Sequence, residues 1–252
     1  MKKIVSLMLV LLLGFSLVAC GKKEESEPEP APVPVFDPSA KSEGVMTYAE
    51  YAAAAVDSEV TVECFVQDHQ SWWDNKITVY CQDPDGAYFL YELPCSEDDA
   101  KKLVPGTKIK VHGFKSEWSG EVEIIDSEFW FEDDGTWTAT AFDATSLWGK
   151  DDLAKHMNEL VTFKGVTVEA SNDEGAGSLY KWDGSGSQGD DVYFTVSLNG
   201  TSYQFLVESY LRDASTAVYK AAEGLSVGDT VTLEGYLYWY NGPQIHVISI
   251  SK

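Results

Sequence analysis

Three glycines recur at identical separations in two parts of this chain, and that repeat limits the possible folds more than any other feature. Gly106, Gly113 and Gly120 in the first half are matched by Gly228, Gly235 and Gly242 in the second. Between the first two glycines of each trio the residues alternate, Ile109 and Val111 standing where Val231 and Leu233 stand. A period of two is that of a half-buried β-strand. Each trio therefore predicts a strand entered through a turn, kinked at its middle glycine and left through a hairpin. After the last glycine the apolar positions slip by one, with Val122 and Ile124 standing against Ile245 and Val247, which predicts a different hairpin or a bulge.

The correspondence extends upstream. Val60-Thr-Val-Glu63 aligns with Val161-Thr-Phe-Lys164, and helical stretches at 47–56 and 151–157 precede these two strands. Asp85-Gly86 and Asn199-Gly200 read as type I′ turn pairs between β-formers. Each copy then inserts a helix. Ser96 is a fitting N-cap, with Glu97, Asp98 and Asp99 in the first turn and Lys101 and Lys102 at the end, and the second helix is expected over 210–223 with Gly224 closing it. A unit of helix, three strands, helix and two strands resembles the OB-fold, a small, partly open Greek-key barrel. The resemblance covers 48–131 and 147–251. It implies a mainly β protein of two tandem five-stranded OB-like barrels, at 46–134 and 147–252, joined by a linker at 135–146. The alternative, an SH3-like barrel or β-sandwich, sits poorly with the two internal helices.

At the other end, Lys2 and Lys3 precede an apolar run over 4–18 that finishes in Leu17-Val18-Ala19-Cys20. Charged, apolar and small residues in that order make a secretion signal, and the run is shorter than the ~20 residues a spanning helix needs. A cysteine at the cleavage point resembles the lipobox of bacterial lipoproteins. The resemblance implies that 1–19 are removed and that Cys20 carries acyl chains, palmitate among them. The chain would then be anchored to the cell membrane on its extracytoplasmic, surface-exposed side. Residues 20–45, with Pro28, Pro30, Pro32, Pro34 and Pro38 among glutamates, read as a disordered tether of ~3 Å per residue.

Formal net charge is -23, and loss of Lys2 and Lys3 with the leader makes it 16 basic against 41 acidic residues, or -25. Such a polyanion repels other polyanions, which sets nucleic acid aside as an expected partner and leaves a glycan, a peptide or an envelope protein. Cys64, Cys81 and Cys95 form an odd set after Cys20, so at most one internal bridge is available. Cys64 and Cys81 lie at mirrored distances from Trp72-Trp73, the expected hairpin tip. They read equally as a cross-strand disulfide or as two buried thiols.

OB-folds bind ligands beside the loops that join strands one to two and four to five. By that resemblance Trp72, Trp73 and Trp118 form one candidate ligand-binding set, and Tyr180, Trp182, Trp239 and Tyr240 a second. Flat rings stack on sugars, peptides or bases at little rotamer cost. They serve equally as lids on the barrel ends. The acidic segment 171–191, with Asn172, Asp173, Glu174, Asp183, Asp190 and Asp191, lacks EF-hand spacing and reads as a solvated loop, so no metal is assigned. Lys101, Lys102, Lys108, Lys110 and Lys115 are the sole hint of a basic surface. His69, His112, His156 and His246 stand in no catalytic motif. The expectation is a non-enzymatic binding module without a cofactor, the alternatives being a structural adaptor of the envelope and a single-stranded nucleic-acid binder.

Overall fold

A computed structural model describes residues 36–252; Cys20 and the leader lie outside the described residues. Thr47 opens α1 (Tyr48–Ala53) through a reciprocal capping box with Glu50. There follow β1 (Glu59–His69), β2 (Lys76–Asp83), β3 (Gly86–Pro94), α2 (Glu97–Ala100), β4 (Thr107–Trp118) and β5 (Glu121–Thr136). These five strands close into a barrel in the order β1-β2-β3-β5-β4, with β3 and β5 parallel and the other pairs antiparallel. That is the OB-like order. Val62, Val66, Val79, Leu90, Ile109, Val111 and Ile124 fill it. Cys64, Cys81 and Cys95 are free and buried among them. Of the two readings of these cysteines, the thiol one is observed.

Charge is also built into this barrel. Residues 36–45, the end of the stretch read as a tether, pack on it: Lys41 Nζ donates to Asp83 Oδ2 at 2.6 Å and to the Glu63 carbonyl at 2.7 Å. Lys108 pairs with Glu63 at 3.2 Å and Asp134 at 2.7 Å. Lys115 Nζ donates to the carbonyls of Tyr51, Ala52 and Ala54 at 2.8–3.0 Å, satisfying the end of α1, and burial pulls its pKa down. Two of the five lysines of the basic cluster therefore face inward and serve the fold.

The second half contains β6 (Phe142–Asp143), β7 (Leu160–Glu169), β8 (Leu179–Tyr180), β9 (Val192–Leu198), β10 (Thr201–Val207), α3 (Ala217–Glu223), β11 (Thr230–Tyr236) and β12 (His246–Ser251). It forms a seven-stranded sheet in the order β6-β7-β11-β12-β10-β9-β8, and β7 also pairs with β9. The five-stranded expectation is corrected here, because two short segments join the edges. Leu179 and Tyr180 of the expected loop pair with Tyr193 and Val192, and Phe142 and Asp143 run beside β7. Val161, Phe163, Phe194, Val196, Phe205, Leu233 and Val247 make the core.

Local expectations fail where a single residue overrides the pattern. Segment Asp151–His156 is a 3₁₀ turn. The second inserted helix begins at Ala217, capped by Thr216, because Asp213 Oδ1 accepts from Ser215 N at 2.7 Å and holds the preceding residues in a turn. Asp85-Gly86 is no type I′ pair: Pro84 fixes a negative φ, Asp83 pairs with Gly86, and Asp83 Oδ1 accepts from Asp85 N and Gly86 N at 2.7 and 3.0 Å. Asn199-Gly200 is one, with φ of 53° and 84°.

The glycine trios sit at matching places. Gly113 and Gly235 lie where β4–β5 and β11–β12 change register, and a Cβ on Gly235 would meet the His246 carbonyl oxygen at 2.3 Å. The slip after the third glycine is a difference in hairpin length. Trp118 pairs with Glu121 across two residues, whereas Trp239 pairs with Pro243 across three. Gly235→Ala is expected to lower stability by about 1–3 kcal/mol, the usual scale of overpacking, read as a drop in the denaturant midpoint at unchanged slope.

Candidate functional site

The two sheets meet across a buried seam. Tyr80 of β2 stacks on Tyr236 of β11 at 4.5 Å and 23°, with Phe89, Leu211 and Tyr238 completing the contact. Polar groups register the two halves. Leu160 N donates to Gln82 Oε1 at 3.0 Å, Asn241 N to the Ser119 carbonyl at 2.7 Å, Ser71 N to the Tyr210 carbonyl at 2.7 Å, and Arg212 pairs with Asp68. The Tyr80 hydroxyl and His246 Nδ1 share a hydrogen bond of 2.5 Å. His246 is buried, which lowers its pKa to about 3, and burial raises that of Tyr80, so the ring is neutral and the phenol keeps its proton.

Above this seam opens a cleft of about 560 Å³. Trp118 comes from the β4–β5 hairpin of the first barrel, Tyr240 from the corresponding hairpin of the second half, and Trp182 from the segment after β8. The Trp118 and Tyr240 rings lie 5.3 Å apart at 37°. Trp118, Trp182 and Tyr240 are 54%, 69% and 46% exposed. The floor and walls carry Tyr193, Tyr238, Gln204, Gln244, Asp191, Glu208 and His246. Rings at the rim and amides and carboxylates below suit a ligand with apolar faces and hydroxyl or amine donors.

Glu208 is the chemical centre of this lining. One of its oxygens accepts from Tyr210 N at 3.0 Å; the other, Oε2, is buried without a partner. Burial raises its pKa to about 7, against the opposing pull of the Tyr210 backbone N–H. At neutral pH it is therefore divided between acceptor and donor forms. Beneath the hairpins, Glu121 accepts from Trp239 N at 2.7 Å while its other oxygen has no partner, and burial raises its pKa to about 8.

The structure regroups the candidates. Trp118 leaves its expected companions and joins Trp182 and Tyr240. Trp73, 76% exposed, lines a separate cleft of about 330 Å³ beside Tyr91 and Tyr210. The other three are partly buried. The Trp72 indole N–H donates to the Cys95 carbonyl at 2.9 Å, the Tyr180 hydroxyl donates to Glu223 at 2.6 Å, and the Trp239 ring covers Gly120. Reading the sequence missed Glu208, Gln204, Gln244 and Tyr193, and named Asp191 only as part of a solvated loop. They lie on strands or within two residues of a strand end, where alternation shows which face a residue takes and not what it faces across the molecule.

No protein-family model matches the chain, and no curated protein matches it. Similar solved structures include the Ifi202 HINa domain in complex with a 20 bp double-stranded DNA, at 11% identity and a TM-score of 0.34, covering 77% of this chain and 98% of that one. A murine DNA-binding protein bound to double-stranded DNA has 11% identity and a TM-score of 0.35, with 76% and 98% covered. A deletion mutant of the single-stranded DNA-binding protein from Thermus aquaticus has 13% identity and a TM-score of 0.25, with 77% and 93% covered. Likenesses at these scores assign no ligand to this chain. They do correct the expectation that sets nucleic acid aside: proteins described as binding both forms of DNA stand among its neighbours, so that exclusion is withdrawn.

The buried groups fix a pH dependence. Glu121 keeps its proton in the folded chain up to about pH 8 and Glu208 up to about 7, while ordinary carboxyls release theirs near 4.5, so stability falls as pH rises through this interval. His246 works the other way, costing stability as pH falls from 6.5 towards 3. Two groups outweigh one above pH 4.5. The melting temperature is expected to be higher at pH 5 than at pH 8.5, and Glu121→Gln is expected to flatten much of that alkaline fall; a melting temperature level across pH 5 to 8.5 contradicts the burial argument.

Proposed function

We propose that this chain is a non-catalytic binding module and that its ligand, a glycan, occupies the cleft under Trp118, Trp182 and Tyr240. The observation that carries the reading is the pairing of three exposed rings with the unpartnered oxygen of buried Glu208. A ring gives a flat apolar face to the axial C–H side of a sugar, and Gln204, Gln244, Asp191 and Glu208 meet hydroxyls at its rim. Two carboxylates in the lining favour a ligand that brings donors. The same reading takes the second half as another OB-like barrel, since β7, β9, β10, β12 and β11 repeat the pairing order of β1, β2, β3, β5 and β4.

A second reading, single-stranded nucleic acid, rests on the same three rings, whose faces also stack bases. Intrinsic fluorescence titrated with N-acetylglucosamine oligomers and with oligothymidylate separates the two. Sugar binding is expected to be insensitive to salt and to weaken about tenfold, 1.4 kcal/mol, in Trp118→Ala or Trp182→Ala. Oligothymidylate binding with a steep salt slope and no response to sugars gives the site to nucleic acid instead.

The reading also places the module in a cell envelope, tethered through Cys20. What supports it is the order of Lys2, Lys3, the apolar run and Leu17-Val18-Ala19-Cys20. Metabolic labelling with palmitate in a bacterial host is expected to mark the chain and to be lost in Cys20→Ala; labelling retained by that variant overturns the anchor.

A further inference from the structure

Among the described residues, six of the ten exposed aromatic side chains line just two clefts, which adjoin at Glu208 and Tyr210. The first is the one described above. The second, of about 330 Å³, has Trp73, Tyr91 and Tyr210 at its rim, 76%, 45% and 65% exposed, with Gln70, Thr78 and Glu92 between them. Scattered exposed rings are ordinary on a protein surface, but three gathered round one concavity are an unfilled contact.

Glu208 lies where the clefts adjoin. Glu208 lines the first, while Tyr210, whose N–H donates to Glu208 Oε1 at 3.0 Å, lines the second. Gln70, also in the second, lies close to Glu208. The Tyr210 carbonyl accepts from Ser71 N and Oγ at 2.7 and 3.1 Å, so the rim of the second cleft is pinned across the seam and holds its place without a ligand. The other Glu208 oxygen, Oε2, is buried and has no hydrogen-bond partner among the described residues.

We infer that the two clefts are subsites of one groove for a linear oligosaccharide, with Trp118, Trp182 and Tyr240 at one end, Trp73, Tyr91 and Tyr210 at the other, and Glu208 accepting from hydroxyls where the chain crosses. The inference rests on the glycan reading and adds a length requirement to it. Rings at both ends give a chain ligand two stacking platforms, and joining two weak contacts in one molecule raises affinity without any new contact. Polar groups of both signs in the second cleft, Lys76 and Glu92 paired at 2.7 Å, leave its charge near balance and suit a neutral chain.

The test is affinity against length, using N-acetylglucosamine oligomers of two to six units on the full chain, with oligothymidylates of rising length alongside. Affinity is expected to climb at least tenfold from the shortest sugar to the longest. Trp73→Ala and Tyr210→Ala should remove that climb while leaving the two-unit affinity unchanged; both side chains are largely exposed, so folding is expected to survive, and an unshifted melting temperature verifies it. Trp118→Ala should weaken every length. Two-unit binding that does not strengthen with length, or a climb that persists in both Trp73→Ala and Tyr210→Ala, overturns the continuous groove and leaves the first cleft intact. Absence of binding at every sugar length removes the glycan reading itself. A length-dependent gain confined to oligothymidylate gives the groove to a nucleic-acid strand.

Discussion

The candidate site depends on the buried meeting of Tyr80 and Tyr236, with the neutral imidazole of His246 held beneath the Tyr80 hydroxyl. Neither sheet alone builds the main cleft, because Trp118 comes from the first barrel and the other lining residues come from the second half. Whatever fixes the angle between the halves thus fixes the distance between the rings. A stack of two phenols supplies apolar area, while the flanking hydrogen bonds supply direction; contacts through area alone would let the sheets slide.

Electrostatics in this protein divide by depth. Lys41 and Lys108 are covered and paired with carboxylates, so they neutralise interior charge, while Lys115 satisfies the carbonyls at the end of α1. Glu121 and Glu208 lack any such cation, and burial pushes their protons on instead. Glu208 lines the cleft, and retaining such a costly group there is ordinary where a ligand completes it. An exterior carrying most of 41 acidic residues adds to the same tendency, since self-repulsion also grows with pH.

Much of the first barrel was legible because backbone demands show in sequence. Gly113 and Gly235 must be glycine where strands approach closely, and their spacing revealed the repeat. Ser96 marked its helix by capping chemistry, which is local. Turn types were less secure: Asp85-Gly86 was misread because Pro84, one residue earlier, decides the turn. Among site residues the rings stood out by type, yet their grouping did not, since Trp118 and Tyr240 are far apart in sequence and meet only once the seam has formed. Glu208 was hidden for a further reason. In a chain so rich in acids, identity says nothing about which carboxylate is buried.

The unequal hairpins carry a consequence for assembly of the fold. Neighbouring units with similar strands risk exchanging them during folding, one half completing its sheet with a segment of the other. Here the two-residue turn at Ser119-Gly120 and the three-residue turn at Tyr240-Asn241-Gly242 set the following strands one position out of phase. A strand borrowed across the repeat would turn Val122 and Ile124 out of the barrel core and Glu121 and Glu123 into it, because a one-residue slip inverts both faces. The odd residue acts as a key cut differently for each lock, protecting a duplicated chain from its own internal likeness.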